Sequence, residues 1–348
     1  MTAYGRAPLV QAPGAPQRRA GGHLATGAIR VVRAPVVAVV VRRLLFAVPL
    51  LLAVSGLSFV LVSLEPGDAA QEILGLQATP AQVVQLRHQM GLDQAVWVQW
   101  WHWLTHAMHG DLGASLFTQQ PVTQALDQRL PVTLSLIGGS LLVILVVGVG
   151  LGLFSAARGG VAGRVVDALS LVGFALPSFW IGAVLIAMLA VRWRVFPATG
   201  YVPLAQSPGL WARSLVLPVA ALGLSGLTAT AKQTREAMLD ALGSEYVRMA
   251  RANGIPRRAI LFRHALKNAS TRVVTVLGVQ AITLLGGTVL VETVFALPGL
   301  GGLAVDSSFR HDLPMIQGIA VYFTVIVVVV NLLIDVAYTW LNPRVAAP

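Results

Sequence analysis

The chain has 348 residues, of which 56% are hydrophobic and 11% charged, with a formal net charge of +11 and a mean hydropathy of +0.74. A soluble domain carries about a quarter of its residues as charges, so this composition excludes an ordinary soluble fold and identifies a membrane protein. Cysteine is absent, which excludes a disulfide framework, a thiolate metal site and a thiol nucleophile.

Residues 1–34 are rich in Pro, Gly, Ala and Arg and contain no acidic residue; they are expected to form a disordered basic tail ahead of a domain over 35–348. A spanning helix needs about 20 predominantly apolar residues. Six stretches meet that length: 44–64, 131–154, 165–191, 214–231, 273–297 and 313–341, the fourth being the weakest. Arg42 and Arg43 precede a long run deep in the chain, which predicts an uncleaved first span and not a signal peptide. An all-α membrane protein with six transmembrane helices is expected.

Between the first two spans lies 65–132, with Glu65, Asp68, Glu72, Asp93, Asp111 and Asp127 against Arg87 and Arg129. Thr79-Pro80 reads as a helix start and Gly91 as its stop, and Pro121 as the opening of another short helix. The run AVWVQWWHWLTHAMH (95–109) is too polar to span, and its tryptophans suit a helix lying at the membrane interface. His102, His106 and His109 share one face of it at the spacing of a metal site. Polar positions on an interfacial helix are the reading preferred for them.

Basic residues number seven in 1–43, two at Arg158 and Arg164, nine from Lys232 to Arg272, and one at Arg344. With the N-terminus inside, these 19 of the 25 fall in cytoplasmic segments, as the positive-inside rule expects. An even number of spans returns the C-terminus to the cytoplasm. The distribution thus explains the net charge by topology and lipid contact, with no need of nucleic acid.

The densest basic segment is EYVRMARANGIPRRAILFRHALKNAS (245–270), within a cytoplasmic segment over 241–270. Gly243-Ser244 before Glu245 reads as a helix start, Gly254 as its stop, and Pro256 as the first position of a second short helix. On the first helix Tyr246, Met249, Ala250 and Asn253 recur at helical spacing, and Ala250, Ala252 and Gly254 leave room for another backbone. Two readings stay open on physical grounds: a helix seated in a partner's groove, or a basic loop touching anionic lipid.

EYVRMARANG followed by RHALKN resembles the cytoplasmic signature of permease subunits of bacterial ABC importers, in the dipeptide, oligopeptide and nickel branch. The wider pattern has a Glu-Ala-Ala run, a Gly four residues on, and an Ile-x-Leu-Pro ending. Aligned on Gly254, Arg248, Met249 and Ala250 stand at the triplet, and His264, Leu266 and Lys267 at the ending. The first Glu and the last Pro of the pattern are absent. EPGD (65–68), GDLGASLFTQQPV (110–122), RLPVTLSL (129–136), LPGLGGLAV (297–305), HDLPMIQG (311–318) and NLLIDVAYTWLNPR (331–344) extend the resemblance from about 40 to 344.

The resemblance implies a permease in the bacterial inner membrane forming half of a translocation pathway, with a second related permease, two ATP-binding subunits and an external substrate-binding protein as partners. Peptides are the leading substrate and nickel the alternative. It places the ATPase contact on Glu245, Tyr246, Met249, Ala250, Arg251, Ala252, Asn253 and Gly254. Consistently, neither lysine, Lys232 or Lys267, sits in a phosphate-cradling Gly-x-x-x-x-Gly-Lys loop, so ATP chemistry falls to a partner. No cofactor is implied. Two rivals differ in signal. An ion-coupled transporter would use intramembrane carboxylates, for which Asp167, Glu292 and Asp335 are the candidates, each near a span end and read as interfacial. An intramembrane enzyme would show a motif such as His-Glu-x-x-His, which is absent.

Overall fold

The computed structural model describes residues 24–341 except 65, 66 and 76. Among them the chain forms helices α1 (Leu24–Leu64), α2 (Ala69–Leu74), α3 (Pro80–Gln89) and α4 (Val96–Ala107). α5 (Val122–Arg158), α6 (Gly160–Ala175) and α7 (Ser178–Arg192) follow. Then come α8 (Pro208–Gly243), α9 (Glu245–Ala252), α10 (Arg257–Val294), α11 (Leu300–Phe309) and α12 (Leu313–Leu341).

Five helices, α1, α5, α8, α10 and α12, are each long and apolar enough to cross a membrane. α6 and α7 meet that test only as a pair, bent by 99°. The expected straight third span over 165–191 is therefore broken. Leu176 is extended (φ −95°, ψ 121°) where it precedes Pro177, because the proline ring disfavours helical geometry in the residue before it. Counted as one broken span, the pair brings the total to six.

Other boundaries shift for local reasons. α1 starts at Leu24, so 24–34, expected in a disordered tail, are helical, while 1–23 lie outside the described residues. Pro121 opens no short helix: it is the N-cap residue of α5, which runs through Pro131. Pro256 is likewise the N-cap residue of α10 and not the first turn of a separate one. Ahead of both, α3 follows its local signals closely. Thr79 and Gln82 form a reciprocal capping box behind Pro80, and Gly91 takes φ +66° just past the end, a conformation glycine adopts without a Cβ clash.

The weakest span by composition turns out to be central. In its most apolar window α8 is 72% buried, against 17% for α1 and α12. A helix sheltered by protein need not be as apolar as one facing lipid, and α8 instead uses small residues such as Ala221, Gly223, Gly226 and Ala229 for close packing. Gly148 and Gly152 of α5 meet it there. A Cβ on Gly152 would lie 2.5 Å from the Ala231 carbonyl oxygen, and one on Gly148 3.0 Å from that of Leu227. α1 and α12 pack together at the periphery.

At the end of the bundle that carries α2–α4, α4 leans on α1 through Trp100, whose Nε1 donates to Ser55 Oγ at 3.1 Å. Trp103 stacks tilted against Phe59 at 5.9 Å. Trp97 and Trp101 stay exposed, as suits the boundary between lipid and water. His102, His106 and His109 are exposed. Nδ1 of His106 bonds the His102 carbonyl and Nδ1 of His109 the Thr105 carbonyl, both at 2.8 Å. Each of those nitrogens therefore serves the helix backbone.

Candidate functional site

The segment singled out by charge forms a short helix at the opposite end from α2–α4. α8 ends at Gly243, Ser244 turns the chain in extended geometry, and α9 runs from Glu245 to Ala252. Ser244 makes no side-chain cap to α9; its hydroxyl donates to the Ala241 carbonyl instead. Glu245 in the first turn complements the helix dipole. The end is closed by two bonds, Gly254 N to the Arg251 carbonyl at 3.0 Å and Ile255 N to the Ala250 carbonyl at 3.1 Å. With Gly254 at φ +73°, this is a Schellman cap.

α9 has two faces. Val247 (0% exposed) and Ala250 (8%) are buried with Ile260 in a small apolar cluster that also takes in Leu242 and Ile255. Glu245, Tyr246, Arg248, Met249, Arg251, Ala252, Asn253 and Gly254 are exposed. Ala250, expected at the partner contact, thus anchors the helix to its own chain. Met249, 68% exposed, supplies the apolar surface on the outward face.

One polar tie fixes α9 to the bundle, and others brace the helices around it. Asn268 Nδ2 of α10 donates to the Tyr246 hydroxyl at 3.1 Å. Arg272 pairs with Asp240 at 3.2 Å and with Glu236 at 3.9 Å, joining α10 to α8. Arg257, read from sequence as a topological or lipid-facing charge, donates to the Ala157 carbonyl at the end of α5. Beside α9 lies a pocket of about 620 Å³ lined in part by Ala156, Leu242, Arg251, Ile255, Arg257 and Leu261. α9 is short, bears small residues on its outward face, and packs on two spanning helices, α8 through Leu242 and α10 through Ile260 and Asn268.

The three membrane carboxylates are each engaged. Asp335 pairs with Arg43 and Asp167 with Arg235 at 3.3 Å. Glu292 lies two residues before the end of α10 and is enclosed by protein, being 1% exposed. Thr133 Oγ1 donates to its Oε1 at 2.7 Å, Gly302 N donates to its Oε2 at 3.0 Å, and Leu300 N donates to Thr133 Oγ1 at 2.9 Å. The carboxyl group therefore caps the start of α11 and ties it to α5 and α10. Glycine is required beside it: a Cβ on Gly299 would fall 2.2 Å from Glu292 Cδ. The signal in the sequence was a lone acid in an apolar run followed by LPGLGG.

Residues 148–347 match the family described as binding-protein-dependent transport system inner membrane component, and 36–137 match its N-terminal membrane component. A putative peptide transport system permease protein of Brucella suis is 40% identical over 309 residues, 88% of this chain and 98% of the relative. A probable peptide ABC transporter permease protein of Sinorhizobium fredii is 39% identical over 307 residues, with the same coverage. The dipeptide transport system permease protein DppB of Escherichia coli K12 is 34% identical over 331 residues, again 88% and 98%.

Proposed function

Because the chain belongs to the family of binding-protein-dependent transport inner membrane components, we propose that it is the permease of an importer of dipeptides and oligopeptides, driven through α9 by a separate ATPase. As a member of that family it is a multi-pass inner membrane transport subunit and not an enzyme, and ATP hydrolysis belongs to its partners. The observation that carries the substrate class is identity of 34–40% to relatives named for peptide transport, over nearly their whole length. A second related permease completes the pathway, and two ATP-binding subunits and an external binding protein complete the complex. α9 is the coupling helix. Its exposed residues Glu245, Tyr246, Met249, Arg251, Ala252, Asn253 and Gly254 form the ATPase contact, with Ala250 as its inner anchor.

Uptake of a labelled dipeptide in cells dependent on this complex tests the substrate class. Unlabelled short peptides compete, and replacing His102, His106 and His109 together with Gln leaves uptake nearly unchanged. Nickel-dependent uptake that vanishes in the triple variant would reject the peptide reading.

The charge distribution orients the chain, with both termini and α9 in the cytoplasm. The cysteine-free sequence permits a clean labelling test. Cysteine at exposed Gln206 or Ala95 reacts with an impermeant reagent in intact cells, and cysteine at exposed Arg258 or Val161 reacts only after lysis. The reverse pattern would invert the topology and remove α9 from the ATPase side.

A further inference from the structure

The end of the molecule that carries α2–α4 is divided by charge. Asp68, Glu72, Asp93 and Asp111 lie between the first two spans, Asp127 in the first turns of α5 and Asp306 on α11, with Asp312 buried just beyond it. By contrast, no Asp or Glu occurs between Asp167 and Glu236, and the connection from α7 to α8 with its flanks carries Arg192, Arg194 and Arg213.

Two of those arginines line one pocket. It measures about 470 Å³ and is bounded by Arg194, Phe196, Thr199, Tyr201, Arg213 and Ser214, among others. Arg213 is oriented by a bond from its NH2 group to the Val195 carbonyl at 2.9 Å, which leaves further guanidinium donors free. Arg194 takes φ +55°, a conformation uncommon outside glycine, and the turn it makes directs the chain around the pocket. Gly200 N bonds the Phe295 carbonyl at 3.3 Å, fixing the loop to the end of α10. Elsewhere at this end Arg87 pairs with Asp68 and Arg310 with Asp306. Among the described residues neither Arg194 nor Arg213 has a carboxylate partner.

We propose that this pocket is the docking point for an acidic surface of the external binding protein. The inference rests on the permease reading above and specifies which face receives that partner and by what chemistry. Guanidinium pairs recognise carboxylates by charge and by parallel N–H donors. A connection without any acid presents one sign of potential, which speeds encounter and excludes wrong orientations. The acidic sector around α2–α4 and α11 requires the opposite charge on the facing surface. The partner is thereby oriented as well as captured.

The test uses the whole complex in liposomes, titrated with the binding protein that supports peptide uptake in the same cells, with ATP hydrolysis as readout. Combining Arg194→Glu with Arg213→Glu raises the binding-protein concentration for half-maximal stimulation by about tenfold or more and flattens its salt dependence. The corresponding pair of Lys substitutions, which keeps the charge but loses the parallel donors, falls between wild type and the Glu pair, and co-purification of the ATPase with each variant shows that the complex is assembled. An unchanged half-maximal concentration in the double Glu variant overturns the proposal. So does a variant that needs more peptide at saturating binding protein but no more binding protein, since the carboxylate recognised would then be the peptide's own. If the wild-type complex is not stimulated by any binding protein, the permease reading itself fails and the docking site falls with it.

Discussion

Ala252→Arg abolishes ATP-driven uptake and strips the ATPase from the purified complex, while membrane insertion stays normal. The expectation follows from the position of Ala252 on the exposed face of α9, next to the Gly254 cap. A methyl group there lets a partner's groove close on the helix. An arginine inserts a long charged side chain where the closed groove leaves no water, and an unpaired buried charge costs several kcal/mol, enough to lower occupancy of the contact by orders of magnitude. Met249→Ala acts in the same direction but more weakly, removing an adaptable apolar side chain from the centre of the contact.

Two neighbouring substitutions separate docking from folding. Ala250 is buried against α9's own support, so Ala250→Arg displaces the helix and lowers the amount of folded subunit. Gly254→Val places a β-branched residue at φ +73°, which costs on the order of 1–2 kcal/mol for a left-handed residue other than glycine, and loosens the Schellman cap. Uptake falls in both, with the melting temperature falling alongside. Ala252→Arg alone loses uptake at unchanged melting temperature. If that variant keeps full transport and a bound ATPase, α9 is a basic surface loop and the coupling assignment is wrong.

The different fates of Ala250 and Ala252 show where sequence reading reaches its limit. Both are small residues on a short helix with caps that were legible, because Gly254 and Glu245 act within a few residues of themselves. Which face turns inward depends on Ile260 and Leu242, which belong to flanking helices, and no local rule places those. The same distinction runs through the fold. The Thr79–Gln82 box and the Gly91 stop are contacts among near neighbours, and the sequence carries them openly. The bend at Leu176 was also written locally, in Pro177, but it was masked by the continuous apolar run on either side. Arg257 and Ala157 lie 100 residues apart, and Thr133 and Glu292 159 apart; those pairings exist only once α5, α8 and α10 have packed. Span counting found five of the six stretches as single long helices, because bilayer thickness imposes a length on apolar runs. It ranked α8 last because hydropathy measures affinity for lipid, whereas α8 is held by protein.

Glu292→Ala is expected to cause the largest loss of stability in the chain. The substitution removes the acceptor of Gly302 N, which is half-buried, and of the Thr133 hydroxyl, which is fully buried. Leaving a buried donor without a partner costs about 1–3 kcal/mol for each, and the missing side chain adds a cavity. Set against a typical total of about 5–15 kcal/mol, the deficit is enough to drive much of the subunit into degradation. Glu292→Gln keeps the shape and one oxygen. If that oxygen faces Gly302 N, the new amide group faces Thr133 Oγ1, which already accepts from Leu300 N, and the threonine proton loses its acceptor. The Gln variant therefore falls between wild type and Ala in melting temperature and membrane abundance. Thr133→Val, which removes the hydroxyl at nearly constant shape, orphans Leu300 N and destabilises the start of α11 in the same way. Combined with Glu292→Ala it costs less than the sum of the two single losses, because each has already broken part of one network. Equal melting temperatures for wild type and Glu292→Ala would show that α11 is held by its apolar contacts alone. A full sum for the double variant would show that the carboxylate and the hydroxyl act independently.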